Sequence, residues 1–151
     1  MVDADVITAK LAELAERTTR ARLHCRSTAA ELASDRDALD LVSFNLMLAV
    51  QSCLDIASHV IADEGWEPAT TLAGSFLALS KHGVISPETA ESLGRAAGLR
   101  NIIAHGYASV DAARIQEAVA GGSQDLERFS AEVSAWLSGL LGSQGTNKTS
   151  L

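Results

Sequence analysis

The sequence has few of the residues that favour strands and tight turns. Among 151 residues there are three phenylalanines, one tyrosine and two prolines, whereas alanine and leucine are abundant. Because β-sheets favour aromatic and β-branched side chains, this composition argues against a sheet and favours helices throughout the chain. We therefore predict an all-α fold, an antiparallel bundle of five or six helices.

Cysteine is equally scarce. Cys25 and Cys53 are too few for a disulfide framework, and they lack the spacing of metal ligands. The first residues, Met1-Val2-Asp3-Ala4-Asp5, contain neither a basic region nor an apolar core, so we expect no signal peptide. These features predict reduced thiols and a cytoplasmic protein without a structural metal.

Basic residues are outnumbered. The chain has 12 lysines and arginines against 19 acidic residues, which gives a net charge of −7. Such a surface does not attract nucleic acid as a whole, so any RNA contact must come from a local patch. Four arginines lie within just over two helical turns, but they do not all share one face of the helix: Arg17, Arg20, Arg22 and Arg26. This run is either a solvated helix surface or a patch that contacts phosphate or an acidic partner protein.

Caps and breaks predict where the helices begin and end. We expect helices over 6–32, 36–63, 71–82, 87–105, 112–120 and 123–141, with Asp35, Thr70 or Thr71, Ser86 and Asp111 at their starts. The second helix is apolar enough to raise the question of a membrane span, but Asn45, Gln51, Asp55 and His59 recur along it. Since a carboxylate inside a bilayer is costly, we predict a central bundle helix and no membrane contact. Residues 1–141 then form one domain, and the small polar residues 142–151 a disordered tail.

The segment Gly98-Leu99-Arg100-Asn101-Ile102-Ile103-Ala104-His105-Gly106-Tyr107 is the most informative part of the chain. At about 100° per residue, Arg100 and His105 lie roughly 140° apart on a helix, so both reach one anion only where the helix frays. Gly106 suits the left-handed residue that ends a helix, which places His105 in the last turn and Tyr107 just outside. Histidine in such a position can exchange a proton near neutral pH.

This segment resembles the signature of the HepT-type toxins of the HEPN superfamily, Arg-x4-His-x-Tyr, at all three defining positions. The resemblance extends from Asp40 to about Trp136 and includes residues 49–61, 76–79 and 83–86. It implies a HEPN-like helical fold and a ribonuclease toxin of a type VII-like toxin–antitoxin pair that needs no cofactor. It also implies a homodimer in which the two motifs face each other across a cleft.

The resemblance implies metal-independent cleavage of RNA, either tRNA or mRNA, with Arg100 and His105 as catalytic residues. His105 would move the proton of a ribose 2′-hydroxyl, and Arg100 would stabilise charge on the phosphate. The residues alone also allow an arginine paired with an acid and a histidine that caps its own helix. A rival function is a catalytically idle HEPN-like module that docks a nucleotidyltransferase.

Asp55 and His59 lie one turn apart on the second helix, with Gln51 one turn earlier. Because a carboxylate in a helical core needs a compensating partner, we predict that Asp55 contacts Arg100 or His105 and orients it. The alternative is that Asp55 and His59 satisfy each other. Two ligands without a third do not make a metal site. We place Asp55, His59 and Asn101 in supporting roles.

Tyr107 is the position that accepts AMP in HepT-type toxins, from an MntA-like nucleotidyltransferase antitoxin. The resemblance therefore implies that a cognate enzyme of this class modifies Tyr107 and silences the toxin. A nucleotide attached two residues from His105 brings negative charge to the place where substrate phosphate binds. The alternative is a surface tyrosine that packs on a neighbouring element.

Overall fold

The computed structural model describes residues 1–106 and 111–146, and this part of the chain forms seven helices without a strand. Their bounds are α1 Ala4–His24, α2 Ala29–Ser34, α3 Arg36–Asp63, α4 Leu72–Lys81, α5 Pro87–Ala104, α6 Ala112–Ala120 and α7 Gly122–Thr146. The all-α prediction is confirmed.

Side-chain caps explain where the first six helices begin. In each, an oxygen of the residue before the helix accepts a hydrogen bond from a backbone N–H of the first turn, and these residues are Asp3, Thr28, Asp35, Thr71, Ser86 and Asp111. Such caps satisfy donors that have no partner within the helix. The predicted starts of α3, α4, α5 and α6 are confirmed.

The prediction of one helix over 6–32 is wrong, because the chain leaves the helix at Cys25. Cys25 is extended, with φ −65° and ψ 155°, and α2 begins after Thr28. The Thr28 hydroxyl accepts a hydrogen bond from the Glu31 N–H at 3.1 Å. Thr28-Ala29-Ala30-Glu31 has the pattern of a capping box, which is the sequence signal for this start. The break raises the number of helices from six to seven.

The last helix is longer than predicted. α7 continues to Thr146 instead of ending at 141, so residues 142–146 are helical rather than a disordered tail. The Ser143 hydroxyl donates to the Leu140 carbonyl at 3.0 Å, within the helix. Adding residues to an existing helix is far less costly than nucleating one, so small polar residues can continue it. The rest of the predicted tail, 147–151, lies outside the described residues.

α3 is the central helix, as predicted, and contacts each of the other six. Its length and composition alone would also allow a membrane span, but 61% of its most apolar stretch of 18 residues is buried inside the structure. That burial is what a bundle core requires, with Val50, Cys53 and Ile56 all at or below 2% exposed. Burial raises the pKa of the Cys53 thiol, which therefore stays protonated at neutral pH.

Glu132 on α7 joins that helix to the start of α5. Its carboxylate accepts hydrogen bonds from the Ser86 N–H at 2.7 Å, the Ser86 hydroxyl at 3.0 Å and the Thr89 hydroxyl at 2.9 Å. Thr89 is fully buried. Because hydrogen bonds to a charged group are the stronger ones, this contact stabilises the start of the helix that ends in the Arg100 segment.

We expect Glu132→Ala to lower the free energy of unfolding by about 2–3 kcal/mol, since buried donors then lose a charged acceptor. Chemical denaturation measures this change. The matched control is Glu91→Ala, which removes an exposed carboxylate paired with Arg95, and an exposed pair of this kind contributes about 0.5 kcal/mol or less. Equal losses in the two variants would contradict the stabilising role of Glu132.

Candidate active site

Arg100 lies near the C-terminal end of α5, half-buried, with its guanidinium against α3. Its Nε and Nη2 both donate to Oε1 of Gln51, at 3.0 and 2.6 Å, and Nη1 donates to Oδ1 of Asn101 at 3.1 Å. Both acceptors are neutral amides. Within the described ranges no carboxylate forms an ion pair with Arg100, so its positive charge is held in place without being neutralised. An arginine paired with an acid is therefore not what the structure has.

Asp55 is connected to Arg100 through Gln51. The Gln51 amide Nε2 donates to Asp55 Oδ1 at 2.9 Å, and Lys10 Nζ on α1 donates to Asp55 Oδ2 at 3.2 Å. Lys10 also donates to Glu13 at 3.3 Å. These hydrogen bonds to Asp55 and Glu13 raise the pKa of Lys10, which stays charged and pairs with both carboxylates. The result is a chain of contacts from α1 through α3 to α5.

The predicted contact of Asp55 with Arg100 or His105 is wrong. Gln51, one turn earlier on the same face, contacts the guanidinium instead. Asp55 is therefore linked to Arg100 only through the Gln51 amide. The alternative pairing with His59 is also wrong, because Asp55 takes its counter-charge from Lys10 and His59 is exposed. Sequence reasoning placed Gln51 on this face without assigning it a contact, and it missed Lys10.

His105 directly follows the last residue of α5 and caps the helix. Its backbone N–H donates to the Asn101 carbonyl at 3.1 Å, and its side chain is exposed. Gly106 follows with φ +62°, and its N–H donates to the Ile103 carbonyl at 3.1 Å. Residues other than glycine are strained in this left-handed conformation. The predicted helix end at Gly106 is therefore confirmed. Tyr107 lies outside the described residues.

The arginine run of α1 and the turn that follows it does not form one basic surface. Arg17 donates to Asn45 at 3.3 Å and lies 5.9 Å from the centre of the Phe44 ring, while Arg22 pairs with Glu127. Arg26 pairs with Asp35 at 2.8 Å, and Arg20 is exposed. The side chains thus separate toward different neighbours, which favours a structural and solvated role for the run over a phosphate patch.

Residues 1–106 and 111–146 include no cluster of three or more histidine, cysteine, aspartate or glutamate side chains that could hold a metal ion.

Two curated relatives are nucleases. The mRNA nuclease HepT of Shewanella oneidensis is 28% identical over 90 residues, which cover 60% of this chain and 68% of the relative. The tRNA nuclease HepT of Aphanizomenon flos-aquae is 25% identical over 92 residues, which cover 61% of this chain and 63% of the relative. The chain thus spans about two thirds of the length of each.

Solved structures share the fold. The tri-AMPylated Shewanella oneidensis HEPN toxin in complex with MNT antitoxin matches with a TM-score of 0.80 and 24% identity, over 88% of this chain and 99% of that one. A mutant MntA-HpeT toxin–antitoxin structure matches with a TM-score of 0.76 and 25% identity, over 87% and 98% of the two chains. The predicted HEPN-like fold is confirmed.

The family follows from a match over most of the chain. The profile of the ribonuclease HepT-like family matches residues 9–133. This region contains the Arg100 and His105 segment, Tyr107 and the residues from Lys10 to Asp55 that support Arg100. The chain belongs to the ribonuclease HepT-like family.

Proposed function

We propose that the chain is the RNA-cleaving toxin of a toxin–antitoxin pair and that Arg100 and His105 are its catalytic residues. The observation that carries the proposal is the guanidinium of Arg100, which two amides hold in place without neutralising its charge. An exposed histidine, His105, follows five residues later. A fixed cation stabilises the charge that develops on a phosphate, and a histidine can move the proton. The family and the two nuclease relatives support this function.

In the proposed reaction His105 accepts the proton of a ribose 2′-hydroxyl. The 2′-oxygen then attacks the adjacent phosphorus, and the bond from phosphorus to the 5′-oxygen of the next nucleotide breaks. The leaving oxygen takes up a proton from water, and His105 returns its own proton to the solvent. The products are a 2′,3′-cyclic phosphate and a 5′-hydroxyl end. Arg100 stabilises the negative charge on the non-bridging oxygens with the N–H donors that Gln51 and Asn101 do not use. None of these steps requires a metal ion.

Gln51 and Asn101 are positioning residues in this account, since each acts through Arg100. An amide can hold a guanidinium without cancelling its charge, whereas a carboxylate at the same place would do both. Asp55 and Lys10 in turn hold the amide of Gln51, because Nε2 donates to a carboxylate whose second oxygen is bound by the lysine. His59, exposed on the same helix, has no part in this network.

We expect Gln51→Glu to lower the rate of RNA cleavage about tenfold or more, because the new carboxylate neutralises Arg100. The glutamate also lacks the N–H that Gln51 donates to Asp55, so it holds Arg100 less firmly in place. Initial rates at saturating labelled RNA measure this effect. Gln124→Glu, the same change at an exposed position of α7, is the matched control and is expected to cleave as the wild type does. An unchanged rate in folded Gln51→Glu would contradict the need for a neutral partner of Arg100.

We also propose a homodimer. Apolar side chains remain exposed on neighbouring helices: Leu23 of α1 is 70% exposed, and Leu41 and Phe44, one turn apart on α3, are 40% and 49% exposed. Surplus apolar surface of this kind is typically covered by association. Light scattering at micromolar concentration should give twice the chain mass of 15.8 kDa. A monomer mass under those conditions would contradict the proposal.

The proposed partner is a nucleotidyltransferase antitoxin of the MntA type, which modifies Tyr107. The tyrosine hydroxyl attacks the α-phosphorus of ATP, pyrophosphate leaves, and AMP remains attached through a phosphodiester. The solved complex of a tri-AMPylated toxin with MNT antitoxin supports this regulation, and the place of Tyr107 two residues after His105 supports the site. The mRNA or tRNA substrates named for the relatives are consistent with a toxin that acts in the cytoplasm.

The rival function is a catalytically idle module that docks the same nucleotidyltransferase. Such a module has no use for a fixed cation whose charge is left un-neutralised in the same helix-end segment as an exposed histidine. The contacts of Arg100 therefore favour the enzyme.

A further inference from the structure

A groove opens beside Arg100, between α3, α5 and the junction of α6 with α7. Its volume is about 410 Å³, within the range of sites that bind small organic groups. Apolar side chains form most of the lining, among them Leu46, Val50, Leu93 and Leu126. All four belong to the buried core, so the groove has a rigid floor.

The charged residues of the lining favour an anion. They are Arg95, Arg100, Arg114, Glu117 and Asp125, a net charge of +1 in a chain whose net charge is −7. Arg95 is paired with Glu91 at 3.2 Å, and Asp125 is paired with Arg128 at 3.0 Å. The cations of the lining that have no carboxylate partner in the described part of the chain are thus Arg100 on α5 and Arg114 on α6. Glu117 offsets only one of them.

We propose that this groove holds one base of the RNA, beside the phosphate bound by Arg100, and that Arg114 binds a neighbouring phosphate. The proposal deepens the ribonuclease function proposed above and rests on it. A base presents flat apolar faces between two phosphates, and an apolar floor flanked by two cations on separate helices matches that alternation. A second copy of this chain seated in the groove would instead bury both cations without anions, which is costly.

The substrate is then RNA that is unpaired at the cleavage site. A base inside a duplex is stacked and paired, and it cannot enter a groove in the protein without leaving the helix. The groove therefore selects loops and single strands by the cost of extrusion. It also places the ribose of the bound nucleotide next to Arg100, where the 2′-hydroxyl lies within reach of the helix end.

The test measures binding of a 2′-O-methyl oligoribonucleotide, which cannot be cleaved, by fluorescence anisotropy. One probe carries all its bases. Each probe of a second series lacks one base, at a different position from probe to probe. We expect the wild type to bind about tenfold more weakly when one particular base is missing. Ala118→Phe fills the groove from α6. This variant should bind the complete probe as weakly as the wild type binds the probe that lacks the critical base. The control Ala113→Phe, exposed on the same helix outside the groove, should discriminate as the wild type does.

A second variant keeps the test independent of core packing. Arg114 is exposed, so Arg114→Gln leaves the fold intact. It should weaken binding of both probes and lower the slope of log affinity against log salt by about 0.7, as expected for one phosphate contact on a single strand. Arg20→Gln, an equal charge change at an exposed position of α1, should leave the slope of these probes unchanged.

Three results would overturn the proposal while leaving the nuclease intact. They are a cleaving wild type that binds every abasic probe as tightly as the full one, a folded Ala118→Phe that still discriminates, and an unchanged salt slope in Arg114→Gln. If Ala118→Phe no longer forms the dimer but still binds the complete probe more tightly than the abasic one, a second copy of the chain covers the groove. A wild type that neither binds nor cleaves any RNA would overturn the proposed function itself.

Discussion

Replacing His105 with alanine is expected to lower the rate of RNA cleavage about 100-fold or more, because the group that moves the 2′-hydroxyl proton is lost. Arg100→Ala should cause a loss of similar size, since the developing phosphate charge then lacks its fixed cation. Initial rates with end-labelled RNA in the presence of EDTA measure both effects. The wild-type rate should be the same with and without the chelator.

The controls are substitutions of the same residue types elsewhere. Arg36→Ala removes an exposed arginine of α3, and His24→Ala removes a histidine at the end of α1, so both should cleave at the wild-type rate. Circular dichroism should show equal helix content in all variants. A folded His105→Ala protein that retains cleavage would contradict the assigned role, and so would a wild type that EDTA inactivates.

Tyr107→Phe is expected to remain an active nuclease that the antitoxin can no longer silence by modification. Incubation of the wild type with the cognate nucleotidyltransferase and ATP should add the mass of one or more AMP units and suppress cleavage. The suppression has a physical reason, because the added phosphate brings negative charge beside the site for substrate phosphate. Intact-mass spectrometry and cleavage rates measure the two effects on the same sample.

Because Tyr107 is the only tyrosine in the chain, this test has a built-in control. An adduct on Tyr107→Phe equal to that on the wild type would place the modification on another residue. An unmodified wild type that the antitoxin nevertheless inhibits would show inhibition by binding alone.

The helix starts were predictable because they depend on local chemistry. Asp35, Thr71, Ser86 and Asp111 each stand directly before a helix-forming stretch, and a cap acts within three residues of its own position. The glycine end of α5 was predictable for the same reason, since only the backbone at Gly106 decides it. The break after α1 was local as well, and its Thr28-x-x-Glu31 signal was overlooked.

The contacts of Arg100 were not predictable to the same depth. Helical spacing places Gln51 and Asp55 on one face of α3, but it does not decide which of the two side chains reaches α5. That choice depends on how closely α3 and α5 pack and on the counter-charge that Lys10 brings from α1, 45 positions away in sequence. Packing distances and partners from remote helices are properties of the folded chain.

The groove was beyond sequence reasoning for a similar reason. Its walls come from α3, α5, α6 and α7, and each lining residue alone has an ordinary place on an amphipathic helix. Only the assembled bundle shows that Arg114 and Arg100 border the same apolar floor.

The measurement that tests the central claim most directly is growth of a bacterial host that expresses the chain. The account predicts that the wild type arrests growth and that its cellular RNA carries new cleavage ends, whereas His105→Ala, accumulated to the same level, does neither. Co-expression of the cognate nucleotidyltransferase should restore growth of the wild type. Equal growth of cells that express folded wild type and folded His105→Ala, with intact RNA in both, would contradict the claim that this chain is an RNA-cleaving toxin.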